Sequence, residues 1–150
     1  MGTRYQGTPE ETRALSAYIN LMRAVNSVTA RVHEHLAGAD LTLGQFGALE
    51  ALHFVGSMRH HELAGKLLCT PGNMTKVLDN LESRGLVSRR RDDGDRRCQN
   101  VAITARGRRA IEAIFPGHAE GLVRSMSGLT AGELEELRVL CRKLGRGVPE

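Results

Sequence analysis

The chain has 150 residues, 41% of them hydrophobic and 25% charged, with a formal net charge of +4. That is the size and composition of one globular domain able to bury roughly 70% of its unfolded surface. No run reaches the roughly 18 apolar residues of a membrane span, and the absence of tryptophan, with only 3% aromatics, weighs against a stacking platform for single-stranded nucleic acid.

The first residues, MGTRYQGTPEETR, contain no apolar stretch. A signal peptide is therefore not expected, and a cytoplasmic location is. The opening Met-Gly is a poor myristoylation signal, because Gln6 stands where a Ser or Thr belongs. The cysteines, Cys69, Cys98 and Cys141, are odd in number and widely spaced. They form neither a disulfide framework nor a zinc knuckle. Charge is uneven. Between Arg84 and Arg109 nine arginines meet three aspartates, so this window carries +6 and the remainder −2. A local basic cluster is the electrostatic footprint of a polyanion partner.

Residues 10–37 carry Leu15, Ile19, Met22, Val25, Thr29, Val32 and Leu36 at helical spacing, with Gly38 as the stop. Thr42 and Gln45 form a capping box. Leu43, Phe46, Leu49, Leu52 and Val55 continue as a second helix up to Gly56. RHHELAGKLL reads as a short third helix with Leu63 and Leu67 inward. The next helix runs from Thr70 to Arg84: Thr70 is the N-cap, Pro71 the first helical residue and Gly85 the residue past the end. Its buried face is Met74, Val77, Leu78 and Leu81.

After Gly85 the pattern changes. LVSRRR and CQNVAIT are β-favouring and flank DDGD, whose Asp-Gly is a turn signal. A hairpin with an arginine-flanked tip is expected. Thr104 then caps a helix carrying Ile111, Ile114, Phe115, Leu122 and Met126, which Pro116 should kink or divide. Thr130 and Glu133 form a further capping box before Leu134, Leu137, Cys141 and Leu144.

The order is therefore helix, helix, short helix, helix, hairpin, helix, helix. The expected fold is mainly α with a small β-hairpin wing: one domain over 1–150, with a DNA-binding lobe at about 42–104. In such a helix-turn-helix the third helix of the lobe enters the major groove by its N-terminus. The exposed face of that helix begins with small and hydrogen-bonding residues and a lysine. Gly72 lets backbone approach DNA, Asn73 and Thr75 can pair with adenine or a phosphate, and Lys76 reaches guanine or phosphate. The free N–H groups and positive dipole end also favour phosphate. In the hairpin, Arg89, Arg90 and Arg91 lie along the strand where phosphates would pass. Asp95 precedes Arg97 by two residues, with Arg96 between, and can hold the Arg97 guanidinium by charge-assisted hydrogen bonds. Arginine suits a narrow, electronegative minor groove.

These residues resemble the MarR family of bacterial transcription regulators. The matching stretch is Asp95-x-Arg97, then Val101-x-Ile103-Thr104 and Gly107, and LTLGQFGALEAL and VLDNLESRGLVSRR are similar to the family's second and recognition helices. The likeness covers about residues 10–145. It implies an obligate homodimer on a pseudo-palindromic operator, joined through helices at about 10–37 and 108–145. It also implies Arg97 in the minor groove with Asp95 orienting it, and Asn73, Thr75 and Lys76 reading the major groove. Many such proteins are repressors released by a small ligand or by oxidation. Two features depart from the pattern: Arg59 stands where a Ser or Thr usually caps the third helix, and the recognition helix opens with Pro-Gly.

Physics supports the dimer independently, since the long outer helices carry apolar faces that need cover. A two-fold axis would set the recognition helices about 34–36 Å apart. Three regulatory devices are open: a small aromatic effector in a cleft, a thiol switch at Cys98 or Cys69, and a metal at His33 and His35, His60-His61-Glu62 or His118. None of these histidine pairs has the i, i+4 spacing of helical metal ligands, so no metal and no cofactor is expected. No catalytic motif is found, and an enzyme is not expected. A winged-helix protein-interaction module is the remaining alternative, because fold alone does not fix function.

Overall fold

The computed structural model describes residues 5–91 and 99–145, without the side chains of residues 33, 35, 37, 91 and 99. The elements are α1 (Pro9–Leu36), α2 (Leu43–Phe54), β1 (Met58–Arg59), α3 (His60–Lys66), α4 (Pro71–Ser83), β2 (Val87–Arg91), β3 (Gln99–Ile103), α5 (Ala105–Ser125) and α6 (Ala131–Gly145), with one 3-10 turn at Ala37–Ala39. No helix among the described residues is long and apolar enough to cross a membrane.

The chain divides into two compact units, residues 30–119 and residues 1–29 with 120–150. The 30–119 unit holds the core. Phe46, Leu49 and Leu52 of α2, Leu63 of α3, Met74, Leu78 and Leu81 of α4, Val101 of β3 and Ile111 of α5 are all fully buried. Burying a side chain of this size is worth about 1.5–3 kcal/mol. The apolar spacing of α2 and α4 thus becomes the interior, although Leu43 and Val55, at the ends of the α2 pattern, are exposed.

The local signals act as read. Thr42 Oγ1 accepts from Gln45 N at 3.2 Å while Thr42 N donates to Gln45 Oε1 at 3.0 Å. Thr130 and Glu133 make the same reciprocal pair. A third box, Thr8 with Glu11, starts α1. Gly85 has φ +68° and closes α4.

Three features differ from expectation. The hairpin is part of a three-stranded antiparallel sheet in the order β1-β3-β2, with Met58 opposite Val101 and Arg59 opposite Asn100. Two residues are too short for a strand signal, and Arg59 read as helix. Pro116 does not divide α5, which is one helix from Ala105 to Ser125. Its neighbour Phe115 packs on Phe54 at 4.8 Å between ring centroids, holding this part of α5 to α2. Helix α3 stops at Lys66, because Leu68 takes φ +50° and Cys69 N donates to Ala64 O at 3.1 Å, a Schellman-type end.

The other unit is sparsely covered. Tyr18, Met22 and Val25 of α1, Val123 of α5, and Val139, Leu140 and Leu144 of α6 are exposed. Among its described residues α6 buries none.

Candidate nucleic-acid interface

The interface is built from the start of α4, the start of α3 and the sheet. Thr70 caps α4 by accepting from Asn73 N at 3.3 Å. Gly72, Asn73, Thr75 and Lys76 are all exposed on its outer face, as the sequence placed them. A Cβ added at Gly72 would meet nothing within 4 Å. Internal packing therefore does not demand glycine at this position. Asn73 and Lys76 have no side-chain partner among the described residues. Thr75 does: its Oγ1 lies 3.0 Å from Pro71 O and 3.2 Å from His60 Nε2. His60 belongs to α3, so Thr75 joins the two helices of the turn.

Behind this face α4 is held by polar ties. Gln45 Nε2 donates to Asn80 Oδ1 at 2.8 Å, linking α2 to α4. Arg84 Nη1 donates to Asp40 O at 2.8 Å. Arg89 carries the strongest tie. Its Nε donates to Glu82 Oε2 at 2.8 Å, its backbone N–H to Glu82 Oε1 at 3.1 Å, and its Nη2 pairs with Asp79 at 2.7 Å. The Arg89 side chain is only 21% exposed. The hydrogen bonds from Arg89 hold the Glu82 carboxyl below the usual carboxylate range, and those same bonds raise Arg89 further. The sequence grouped Arg89 with phosphate-facing residues; its guanidinium is engaged within the protein, clamping β2 to α4. Arg90, next along the strand, is exposed because successive side chains alternate in direction.

Strand β2 pairs with β3 from Val87 opposite Ile103 to Arg91 opposite Gln99. Asp95, Arg96, Arg97 and Cys98 lie outside the described residues, as does the Arg91 side chain. The root of the hairpin is defined. Thr104 N donates to Leu86 O at 3.1 Å, Thr104 Oγ1 donates to Gly85 O at 2.7 Å, and Gly107 N donates to Thr104 Oγ1 at 3.0 Å. One threonine thus caps α5 and pins the start of the hairpin. Gly107 packs directly on the Leu86 carbonyl, with no room for a side chain.

Residues 41–99 match the model of the MarR family. The HTH-type transcriptional regulator YkoM of Bacillus subtilis (strain 168) is 32% identical over 136 residues, 91% of this chain and 88% of YkoM. The chain belongs to the MarR family. A second relative, the transcriptional repressor MprA of Escherichia coli (strain K12), is 33% identical over 88 residues, 59% of this chain and 50% of MprA. The structure of BpsR from Bordetella bronchiseptica, whose DNA binding is regulated by 6-hydroxynicotinic acid, has a TM-score of 0.79 and 25% identity, covering 86% of this chain and 98% of that one. In MarR-family terms α3 and α4 are the helix-turn-helix and β1–β3 the winged sheet. The protein is a DNA-binding transcriptional regulator.

The remaining candidates are dispersed. His118 is buried against Phe46, 4.4 Å between ring centroids. His60 serves Thr75, and the side chains of His33 and His35 lie outside the described ones. Cys69 is half-buried and Cys141 exposed. A cleft of about 430 Å³ beneath α4 is lined by Leu43, Phe46, Leu67, Cys69, Met74 and His118, among others. Sequence reasoning did not locate it, since its walls come from four separate elements.

Proposed function

We propose that this MarR-family protein is a cytoplasmic, homodimeric repressor that binds a pseudo-palindromic operator and is released by a small aromatic effector. The observation that carries the DNA reading is the outer face of α4. It presents Gly72, Asn73, Thr75 and Lys76 with open space over the glycine, as a helix entering the major groove requires. Asn73, Thr75 and Lys76 contact base edges or nearby phosphates, and Arg90, Arg91 and Arg96 follow the backbone. Arg97, oriented by Asp95, enters the minor groove. Arg89 acts from behind by holding the hairpin on α4.

The exposed apolar residues of α1, α5 and α6 support a second copy as their cover, because helices with apolar faces left in water are unstable alone. The cleft beneath α4 supports effector release: it is mostly apolar and has a volume suited to one aromatic ring with polar substituents. A ligand there would bear on Met74 in the first turns of the recognition helix. The BpsR likeness favours this class of effector.

Fluorescence anisotropy with duplex from upstream of the protein's own gene tests the reading. Binding that is tighter than to a scrambled duplex and weakens steeply with salt is the expected result. Equal, weak binding to every upstream duplex and to the scrambled one would refute it. Light scattering at micromolar concentration should give twice the chain mass.

A further inference from the structure

The hydrogen bonds of Thr75 determine what this residue can read in DNA. Its Oγ1 is 3.0 Å from the Pro71 carbonyl oxygen and 3.2 Å from His60 Nε2. A hydroxyl has one proton and two lone pairs, and a carbonyl oxygen can only accept. The Thr75 proton therefore goes to Pro71. With that bond made, the tautomer of His60 that carries its proton on Nε2 donates to Thr75 and completes both contacts. One lone pair remains on Oγ1, with no proton to give.

That polarity sorts the possible partners. Phosphate oxygens accept, as do guanine O6 and N7, adenine N7 and thymine O4. None of them can pair with a hydroxyl whose proton is committed. The donors in the major groove are the exocyclic amines, N6 of adenine and N4 of cytosine. Access is provided separately. Helical side chains lean toward the N-terminus, so Thr75 stands over the turn that contains Gly72, where a Cβ would meet nothing in the protein.

We propose that Thr75 is an acceptor-only specificity residue that takes the exocyclic amine of an adenine or a cytosine, and that His60 is the positioning residue that enforces this polarity. The inference rests on the operator-binding reading above and sharpens it, since the sequence alone left Thr75 free to choose base or phosphate.

Selection from a randomised duplex pool tests it, using wild type, Thr75→Val, Thr75→Ser, His60→Ala and His60→Gln. Valine keeps the shape and removes the hydroxyl; serine keeps the hydroxyl; glutamine keeps an N–H donor. Wild type should enrich one base pair at one position of each half-site, and the adenine or cytosine of that pair carries the amine to be tested. Thr75→Val should lower that preference about threefold to tenfold, the range of one net hydrogen bond, and Thr75→Ser should retain it. His60→Ala should relax the same position and His60→Gln restore it, which a merely structural role for His60 would not do. A measurement on wild type alone is independent of how the variants fold. A duplex in which that base lacks its amine, purine for adenine or 2-pyrimidinone for cytosine, should bind more weakly by the same factor.

The proposal is overturned if Thr75→Val weakens all sites equally, which marks a phosphate contact. It is also overturned if removing the amine of the pair at the position it relaxes costs wild type nothing. A pool that wild type enriches without any effect of Thr75 refutes this inference alone. A pool that wild type does not enrich refutes the operator reading with it.

Discussion

Gly107→Ala is the most searching test of how the wing is fixed to the body of the protein. A Cβ at this position would sit 2.9 Å from Ile103 Cγ1 and 3.0 Å from the Leu86 carbonyl carbon, with the Leu86 oxygen nearer still. Comfortable carbon–carbon contact is about 3.5–4.0 Å. Two of the obstacles are backbone atoms and cannot rotate away. Leu86 O also accepts from Thr104 N at 3.1 Å, so pushing it aside stretches the bond that pins the cap residue of α5 to the hairpin root. Overpacking of this kind costs about 1–3 kcal/mol, and a weakened buried hydrogen bond adds about 1 kcal/mol. Alanine returns about 0.5–1 kcal/mol through its helix propensity and its smaller unfolded-state entropy. The expected net loss is about 2–3 kcal/mol, read as a fall in the urea midpoint at unchanged slope. In a chain of this size the same loss lowers Tm by roughly 4–12 °C. Gly72→Ala is the internal control, because nothing stands where its Cβ would go. If Gly107→Ala is as stable as wild type, the close approach of α5 to the hairpin root is wrong, and the place of Gly107 in the motif needs another reason.

Gly72→Ala should hold or slightly raise stability, by at most about 1 kcal/mol, yet weaken duplex binding, because its methyl projects from the exposed start of α4; anisotropy with the protein's own duplex checks this, and unchanged affinity would count against close approach of the Gly72 backbone to DNA. Arg89→Gln should cost about 1 kcal/mol, discounted for a pair that is partly exposed. The Glu82 carboxyl is lower in the folded protein than its ordinary value of 4.5, so its contribution is complete above that value and is lost as pH falls through the folded pKa. The stability gap between wild type and Arg89→Gln should therefore be largest near neutrality and shrink in acid, and a gap constant from pH 7 to pH 3 would show that the clamp is not ionic. Leu68→Gly should stabilise by up to about 1 kcal/mol in a thermal melt, because Leu68 holds φ +50° while 95% exposed; a lower Tm would mean that the leucine makes contacts absent from a single chain.

Much of the architecture was legible because its causes are local. The box of Thr42 and Gln45, the cap at Thr70, Pro71 at the start of α4 and Gly85 at its end all act within four residues. The spacing of Met74, Leu78 and Leu81 identifies a buried face without saying what covers it. The exposed residues Gly72, Asn73, Thr75 and Lys76 followed from the same periodicity, as the side of the helix left over. The stretch from Val101 to Gly107 pointed to the family before its mechanics were known.

Contacts between distant segments were decided only in the tertiary structure. Three arginines in a row are equivalent in sequence, but strand alternation and the position of α4 turn Arg89 toward Asp79 and Glu82 and leave Arg90 in solvent. Helical or strand periodicity cannot reveal such a partition, because it depends on which element lies beneath. The two-residue strand at Met58–Arg59 exists only because β3 offers it an edge. Gly107 is required by a carbonyl 21 positions earlier in the chain, at Leu86. Thr75 Oγ1 donates to Pro71 O of its own helix and meets His60 Nε2, 15 residues away, across the turn. The sequence by itself determined that a polar helix end and a basic hairpin stand together; which of their atoms remain available to DNA depends on partners that only folding brings within hydrogen-bond distance.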